Sequence, residues 1–470
     1  MSEKEGNSLE TMGAKCRDVG GTELSWCKAV PGGTGTTVLA LLFSKQPQLP
    51  LLQYALHKLQ TTHPILNSKI HFTPSTSTYS YLISPSPSLQ IQSFDPSSTA
   101  QIIRNLFVKT PSSSSIAPFH LILEHELNRN SWRDSDEIEK EVFFCSLYSL
   151  DDEKWVVALR LHTSVCDRTT AATILREMLG IMSTNKLEEE EQRGIGDVGL
   201  AVEDYIPSGK ANKPFWARGA HLLGYTFNGL RFSNLEFKDS VSQRSTQLIR
   251  FQLTSQETDG ILSACMAKGI KLCALFTAAF FIATRSSKSL PDEQFEKYAV
   301  VMLVDCRAVL EPELTDQHCG FYYSAILNTH DVKGGEDLWE LTKRTYTSLT
   351  NAKNNHKHFT DMADLNFLMC KAIDNPALTP SSSMRTSLIS VFEDTPIDSS
   401  NQVSNDIGLV DYIGCASVHG VGTSVAIFDT IRNGKLDCAC VYPSPLHSRE
   451  QMQELINEMV KIMIDGSNYN

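Results

Sequence analysis

The sequence predicts an α+β protein of two lobes. Three observations predict it. Apolar β-rich runs alternate with segments of helical periodicity, but without the strict strand–helix repeat of a doubly wound sheet. A long polar stretch, 186–245, separates two halves of similar make-up. The chain has 470 residues, enough for two lobes with sizeable cores. The predicted division is a disordered N-terminus at 1–17, a first lobe at 18–185, a crossover at 186–245 and a second lobe at 246–470.

In the first lobe, a glycine-punctuated segment from Asp18 runs into a strand at Thr37–Phe43. After Pro50, Leu52, Ala55, Leu56 and Leu59 fall on one helical face, and His63-Pro64 ends that helix. A strand follows at Ser68–Phe72. Ser and Pro clusters between Pro74 and Pro111 read as a meander with surface loops. Val142–Leu147 and Trp155–Leu161 are strands, and Thr169–Met182 is an amphipathic helix. The crossover carries the run Glu188-Glu189-Glu190-Glu191, a solvated charged tip.

The second lobe opens with a strand at Leu248–Leu253. Thr254 and Glu257 form a capping box for a helix that stops at Gly269. Lys271–Thr284 is an apolar, buried helix, Tyr298–Val304 a strand, Asp337–Thr350 a helix and Ser387–Phe392 a strand. Val425–Phe428 and Leu436–Val441 pair around Arg432-Asn433-Gly434 as a hairpin. Ser448 and Gln451 cap a last amphipathic helix.

Composition narrows the function. Forty-two basic against 54 acidic residues give a net charge of −12, which argues against nucleic acid or an anionic membrane as partner. No run of about 18 apolar residues and no leader-like N-terminus is seen, so a cytoplasmic protein outside the membrane is expected. Twelve cysteines are scattered singly through apolar segments, without a Cys-x-x-Cys pair, and read as reduced core thiols. Gly32-Gly33-Thr34-Gly35 lacks the Lys-Ser/Thr ending of a phosphate loop and precedes a strand, so it reads as a loop near the channel mouth. His356 and His358 have no third ligand nearby, and no metal is expected.

The chemistry concentrates in Leu161-His162-Thr163-Ser164-Val165-Cys166-Asp167-Arg168, which leaves an apolar strand and enters a helix. Side chains at such a strand end commonly face a cleft. The segment resembles the His-His-x-x-x-Asp-Gly motif of the condensation-domain and HxxxD acyltransferase superfamily, which includes chloramphenicol acetyltransferase, the plant BAHD enzymes and peptide-synthetase condensation domains. Aligned on Asp167, His162 takes the first histidine, Thr163 the second, and Arg168 replaces the glycine. His63-Pro64-Ile65-Leu66, Lys268–Leu272, Asp305-Cys306-Arg307 and Gly320-Phe321-Tyr322 are similar to further family segments in the same order. Asp411-Tyr412-Ile413-Gly414-Cys415 is a remote echo of the plant members' Asp-Phe-Gly-Trp-Gly.

The resemblance implies two chloramphenicol-acetyltransferase-like lobes, each a mixed β-sheet backed by helices, with a channel between them. It also implies acyl transfer from acyl-CoA, as co-substrate and with no permanently bound cofactor, to an amine or alcohol of a small specialised-metabolite acceptor, by a monomer. In the family the second histidine is the base; a threonine hydroxyl titrates far too high for that task and can only orient or donate. His162, Thr163 and His419 are therefore the catalytic candidates. His419 lies in a glycine-flanked turn between late strands; His162, adjacent to Thr163 on an extended strand, points to the opposite face and also reads as a core histidine. Cys166 reads as a buried small hydrophobe. The family aspartate is structural: Asp167 takes that place with Arg307 as partner, and Arg168 or a local Asp305–Arg307 pair are rivals. A cyclisation, isomerisation or condensation on the same scaffold, or a non-catalytic small-molecule binder, are the alternatives.

Overall fold

The structure, a computed structural model, describes residues 15–109, 116–134, 137–150, 153–184, 198–213, 232–398 and 406–468. The acidic run of the crossover and residues 1–14 lie outside these.

The first half contributes β1 (Lys15–Asp18), α1 (Gly21–Ala29), β2 (Thr34–Phe43), α2 (Leu49–Thr62), β3 (Ser68–Thr73), β4 (Thr78–Ile83), β5 (Ile91–Phe94), α3 (Pro96–Lys109), α4 (Pro118–Asn128), β6 (Glu139–Glu141), β7 (Phe143–Ser149), β8 (Trp155–His162) and α5 (Arg168–Thr184). Lys15 to Arg17, expected to be disordered, instead form most of β1, which pairs antiparallel with β4. The expected meander contains a helix, α3, and a second unpredicted helix, α4, follows it; each begins at a proline. Proline has no N–H to lose in a first turn and its φ is already helical; Asp95 caps α3 by accepting from Ser98 N–H at 2.7 Å. A third unpredicted helix, α1, is closed at its start by Glu23, whose carboxylate accepts from Gly20 N–H at 2.7 Å.

The second half contributes β9 (Ser245–Gln252), α6 (Ser255–Ala267), α7 (Leu272–Ser286), β10 (Glu296–Asp305), β11 (Tyr323–Val332), α8 (Leu338–Asn354), α9 (Met362–Asp374), β12 (Arg385–Phe392), β13 (Ile397–Asp398), β14 (Leu409–Val418), β15 (Gly422–Arg432), β16 (Lys435–Ser444) and α10 (Arg449–Asn468). Both capping motifs form: Thr254 with Glu257, and Ser448 Oγ accepting from Gln451 N–H. Asn433 (φ 53°) and Gly434 (φ 69°) both turn through the left-handed region, as a two-residue hairpin loop between right-twisted strands requires.

The strands form three sheets: a small one in the order β1-β4-β3-β6, a five-stranded one β14-β2-β8-β7-β5, and a larger mixed one β11-β10-β12-β15-β16-β9 with β13 beside β15. Helix α7, buried along nearly its whole length, packs against α8 and α10 behind the last. The division of the chain needs one correction. β14, in the part assigned to the second lobe, pairs antiparallel with β2 from Leu409↔Phe43 to Val418↔Thr34, and so belongs to the first lobe's sheet. The chain then returns through 419–421 to β15 in the second lobe's sheet. Among the described residues, no single helix is long and apolar enough to cross a membrane.

Candidate active site

β8 ends at His162, and a 3-10 turn, Thr163–Val165, carries the chain into α5. His162 caps this turn: its Nδ1 accepts from Ser164 N–H at 3.2 Å and from Ser164 Oγ at 2.7 Å, and Tyr81 OH donates to the same Oγ at 2.7 Å. Its ring stands edge-on to Trp132 with centroids 5.2 Å apart. Burial lowers its pKa to about 3, so it is a neutral histidine packed in the core.

Thr163 turns the other way, onto a cavity of about 950 Å³ at the seam of the lobes. Its hydroxyl donates to Gly35 C=O at 2.5 Å and lies 2.7 Å from Thr37 Oγ1. With that proton committed to the carbonyl, Thr37 donates to Thr163, and the pair offers lone pairs to the cavity. The first lobe's wall includes Trp26, Gly35, Thr37 and Leu175; the second lobe's includes Phe321, Tyr323, Phe392 and Phe428. Cys166 also lines it, but burial raises its thiol pKa well above the ordinary value. Tyr323 is likewise pushed up, first by burial and then by Asp167 and Asp305. No histidine is on the described walls.

His419 therefore does not reach this cavity either. Its ring lies over Gly33 and its Nδ1 bonds Thr246 Oγ1 at 3.0 Å, so it bridges β9 and the start of β2. Gly33 (φ +100°) has no room for a side chain: a Cβ would come within 2.2 Å of the imidazole. Burial first, then Arg385 and Arg133, lower the His419 pKa to about 4. Both histidine candidates are thus built into the packing, and only Thr163 of the three faces the cavity.

Below the cavity, Arg307 Nη2 lies 2.8 Å from Asp167 Oδ2. Asp167 also accepts from the backbone N–H of Thr170 and of Tyr322, each at 2.8 Å. The local rival is also present, since Arg307 Nη1 is 3.2 Å from Asp305. Burial works against the Arg307 charge, but Asp167 and Asp305 outweigh it and raise its pKa. Burial pushes the Asp167 carboxyl up, opposed by Arg307 and the two N–H groups. Arg168 goes elsewhere, to Asp429 at 3.0 Å and over the Phe392 ring.

One cavity residue had escaped notice: Arg385, fully buried at the start of β12. An arginine opening a strand that carries no other charge was the available signal.

The two lobes with a seam cavity over a buried Asp–Arg pair match known folds. The structure of polyketide synthase associated protein 5 from Mycobacterium tuberculosis superposes with a TM-score of 0.66 at 13% identity, covering 97% of this chain and 99% of that one. The fold is one that this chain shares with solved acetyltransferase and condensation-domain structures. The trichothecene 15-O-acetyltransferase of Fusarium sporotrichioides gives a TM-score of 0.69 at 11% identity, covering 96% and 95%. The EpoB cyclization-docking bidomain of Sorangium cellulosum gives 0.67 at 11%, covering 97% and 86%. A profile of the phthiocerol/phthiodiolone dimycocerosyl transferase C-terminus matches residues 242–354. No curated protein sequence matches the chain. The seam cavity of this chain is lined at that point by the hydroxyl-bearing Thr37 and Thr163.

Proposed function

We propose that this protein transfers an acyl group from acyl-CoA to an amine of a small acceptor. The observation that carries the reading is the seam cavity, with Thr163 facing it and no histidine on its described walls. An alcohol needs a base to become nucleophilic at neutral pH; an amine with a free lone pair does not. Thr37 and Thr163 oxygens accept an amine N–H and so aim the nitrogen lone pair at a thioester carbon. Positioning of this kind lowers the barrier without a proton acceptor. The nitrogen–carbon bond forms, the carbon–sulfur bond breaks, and the departing thiolate takes the proton released by the nitrogen. The likeness to an acetyltransferase structure and the match to a dimycocerosyl transferase profile support acyl transfer as the reaction class.

The test is thiol release from an acyl-CoA panel in the presence of matched amines and alcohols. Amine-dependent release, with alcohols at least tenfold slower, is the expected result. That no imidazole lines the cavity among the described residues also favours a second reading, a binding protein that retained the channel. Saturable ligand binding without thiol release from any donor–acceptor pair would favour it over the transferase.

A further inference from the structure

Arg385 holds a charge that the fold does not neutralise. Its Nε donates to Ser383 C=O at 3.2 Å, Nη1 to Val418 C=O at 2.9 Å and Thr423 C=O at 2.5 Å, and Nη2 to Gly420 C=O. Four of five N–H groups thus meet neutral carbonyls, and among the described residues no carboxylate pairs with the guanidinium. Its charged neighbour is another cation: Arg244 Nη1 donates to the same Ser383 carbonyl at 2.5 Å. Buried cations normally have an anionic partner, because a carbonyl dipole does not replace lost hydration. In a chain of net charge −12, the missing carboxylate is not a matter of composition.

A second observation lies beside it. Thr34 Oγ1 and Ser387 Oγ are both buried, both belong to cavity-lining residues, and neither has a hydrogen-bond partner. Buried hydroxyls are ordinarily paired. Arg385 and Ser387 sit two apart on β12, against Gly422 and Thr423 of β15. Thr34 reaches the same corner, since a Cβ on Gly420, whose carbonyl Arg385 holds, would lie 3.0 Å from its Oγ1.

We propose that this corner binds a carboxylate of the acceptor, whose apolar, ring-bearing body lies along Trp26, Phe321, Phe392 and Phe428. One positive charge and three free donors (the last Nη2 hydrogen and two hydroxyls) suit a monoanionic carboxylate better than a phosphate dianion. Aromatic rings pair at 5.4 Å (Trp26–Phe321) and 5.3 Å (Phe392–Phe428) along the walls, which suits a planar body. The inference deepens the proposed transfer reaction, because it names the acceptor class for the same cavity.

The experiment is calorimetric titration of the full chain with 2-naphthoate and with its uncharged analogue 2-naphthamide. Naphthoate binds at least tenfold tighter, as loss of a charged hydrogen-bond partner typically costs tenfold to about a hundredfold. Arg385→Gln, which keeps an amide donor for the carbonyls, abolishes the preference. Since that variant also touches the β14–β15 connection, Thr34→Val and Ser387→Ala provide the independent check: each weakens naphthoate severalfold and leaves naphthamide unchanged. Equal binding of acid and amide, no binding of naphthoate, or full preference in the Thr34→Val/Ser387→Ala double variant would overturn the proposal. Thiol release is measured separately, so a failure of acyl transfer with carboxylate preference intact sinks only the transferase reading.

Discussion

Replacing Arg307 by methionine removes the counter-charge of a fully enclosed carboxylate. The Asp167 side chain has 0% exposure and that of Arg307 5%. Taking away one partner of such a pair costs about 3–5 kcal/mol. Asp167 keeps two backbone N–H groups at 2.8 Å, which places the loss at the lower end, about 3 kcal/mol. Asp305, 28% exposed and still held by Thr169, adds no more than about 1 kcal/mol. The assay is equilibrium urea denaturation at pH 8 and pH 5, with Asp167→Asn/Arg307→Met as the companion. The double variant regains about half of the loss, because the stranded charge is gone. Without Arg307, the folded-state pKa of Asp167 rises further above its unfolded value, so the folded state binds the extra proton. The Arg307→Met deficit is therefore largest at pH 8 and shrinks as pH falls through the raised pKa. A deficit under about 1 kcal/mol, or a double variant no better than the single, would refute the reasoning.

Thr163→His places an imidazole at the cavity and raises alcohol acylation by about 10²–10⁴-fold, whereas Thr163→Val, which removes one of the two oxygens that aim the amine, slows amine acylation by about tenfold or more; initial rates of thiol release decide both. Gly33→Ala forces a Cβ against His419 at a left-handed φ and lowers stability by about 1–3 kcal/mol, read by the same urea titration. The pKa values of His162 (about 3) and His419 (about 4) are depressed by burial. The stability that their neutral forms contribute is complete above the unfolded value of about 6.5 and is lost as pH falls toward the folded values, at up to about 1.4 kcal/mol per pH unit for each. His162→Gln flattens that acid limb in pH-dependent unfolding; an unchanged slope counts against it.

The elements carried by local pattern were readable: the capped helices at 255–267 and 449–468, the Asn433-Gly434 hairpin and the strand that ends at His162. So was the Asp167–Arg307 contact, though through the order of motif segments and not through spacing, since 140 residues separate the two. Helix α1 hides because its buried face is polar, with Thr22, Glu23 and Ser25; Glu203 satisfies Thr22 from a distant segment at 2.5 Å. Helices α3 and α4 hide because Ser-Pro punctuation marks both loops and helix starts. The two histidines misled for one reason: a sequence shows that imidazole is present but not which side of a strand it occupies relative to a cavity. Arg385 was passed over because its partners are carbonyls, which every sequence contains.

Strand β14 gives the molecule a seatbelt. Its ladder on β2 and the Asp411 ion pairs with Arg250 (2.5 Å) and Arg432 (2.7 Å) fasten one half to the other. Prising the halves apart would break a row of backbone hydrogen bonds and strand charges in a half-buried place. With the halves fastened in this way, the cavity that Thr163 faces keeps both lobes in its wall, and Phe367 and Leu368 of α9 border it.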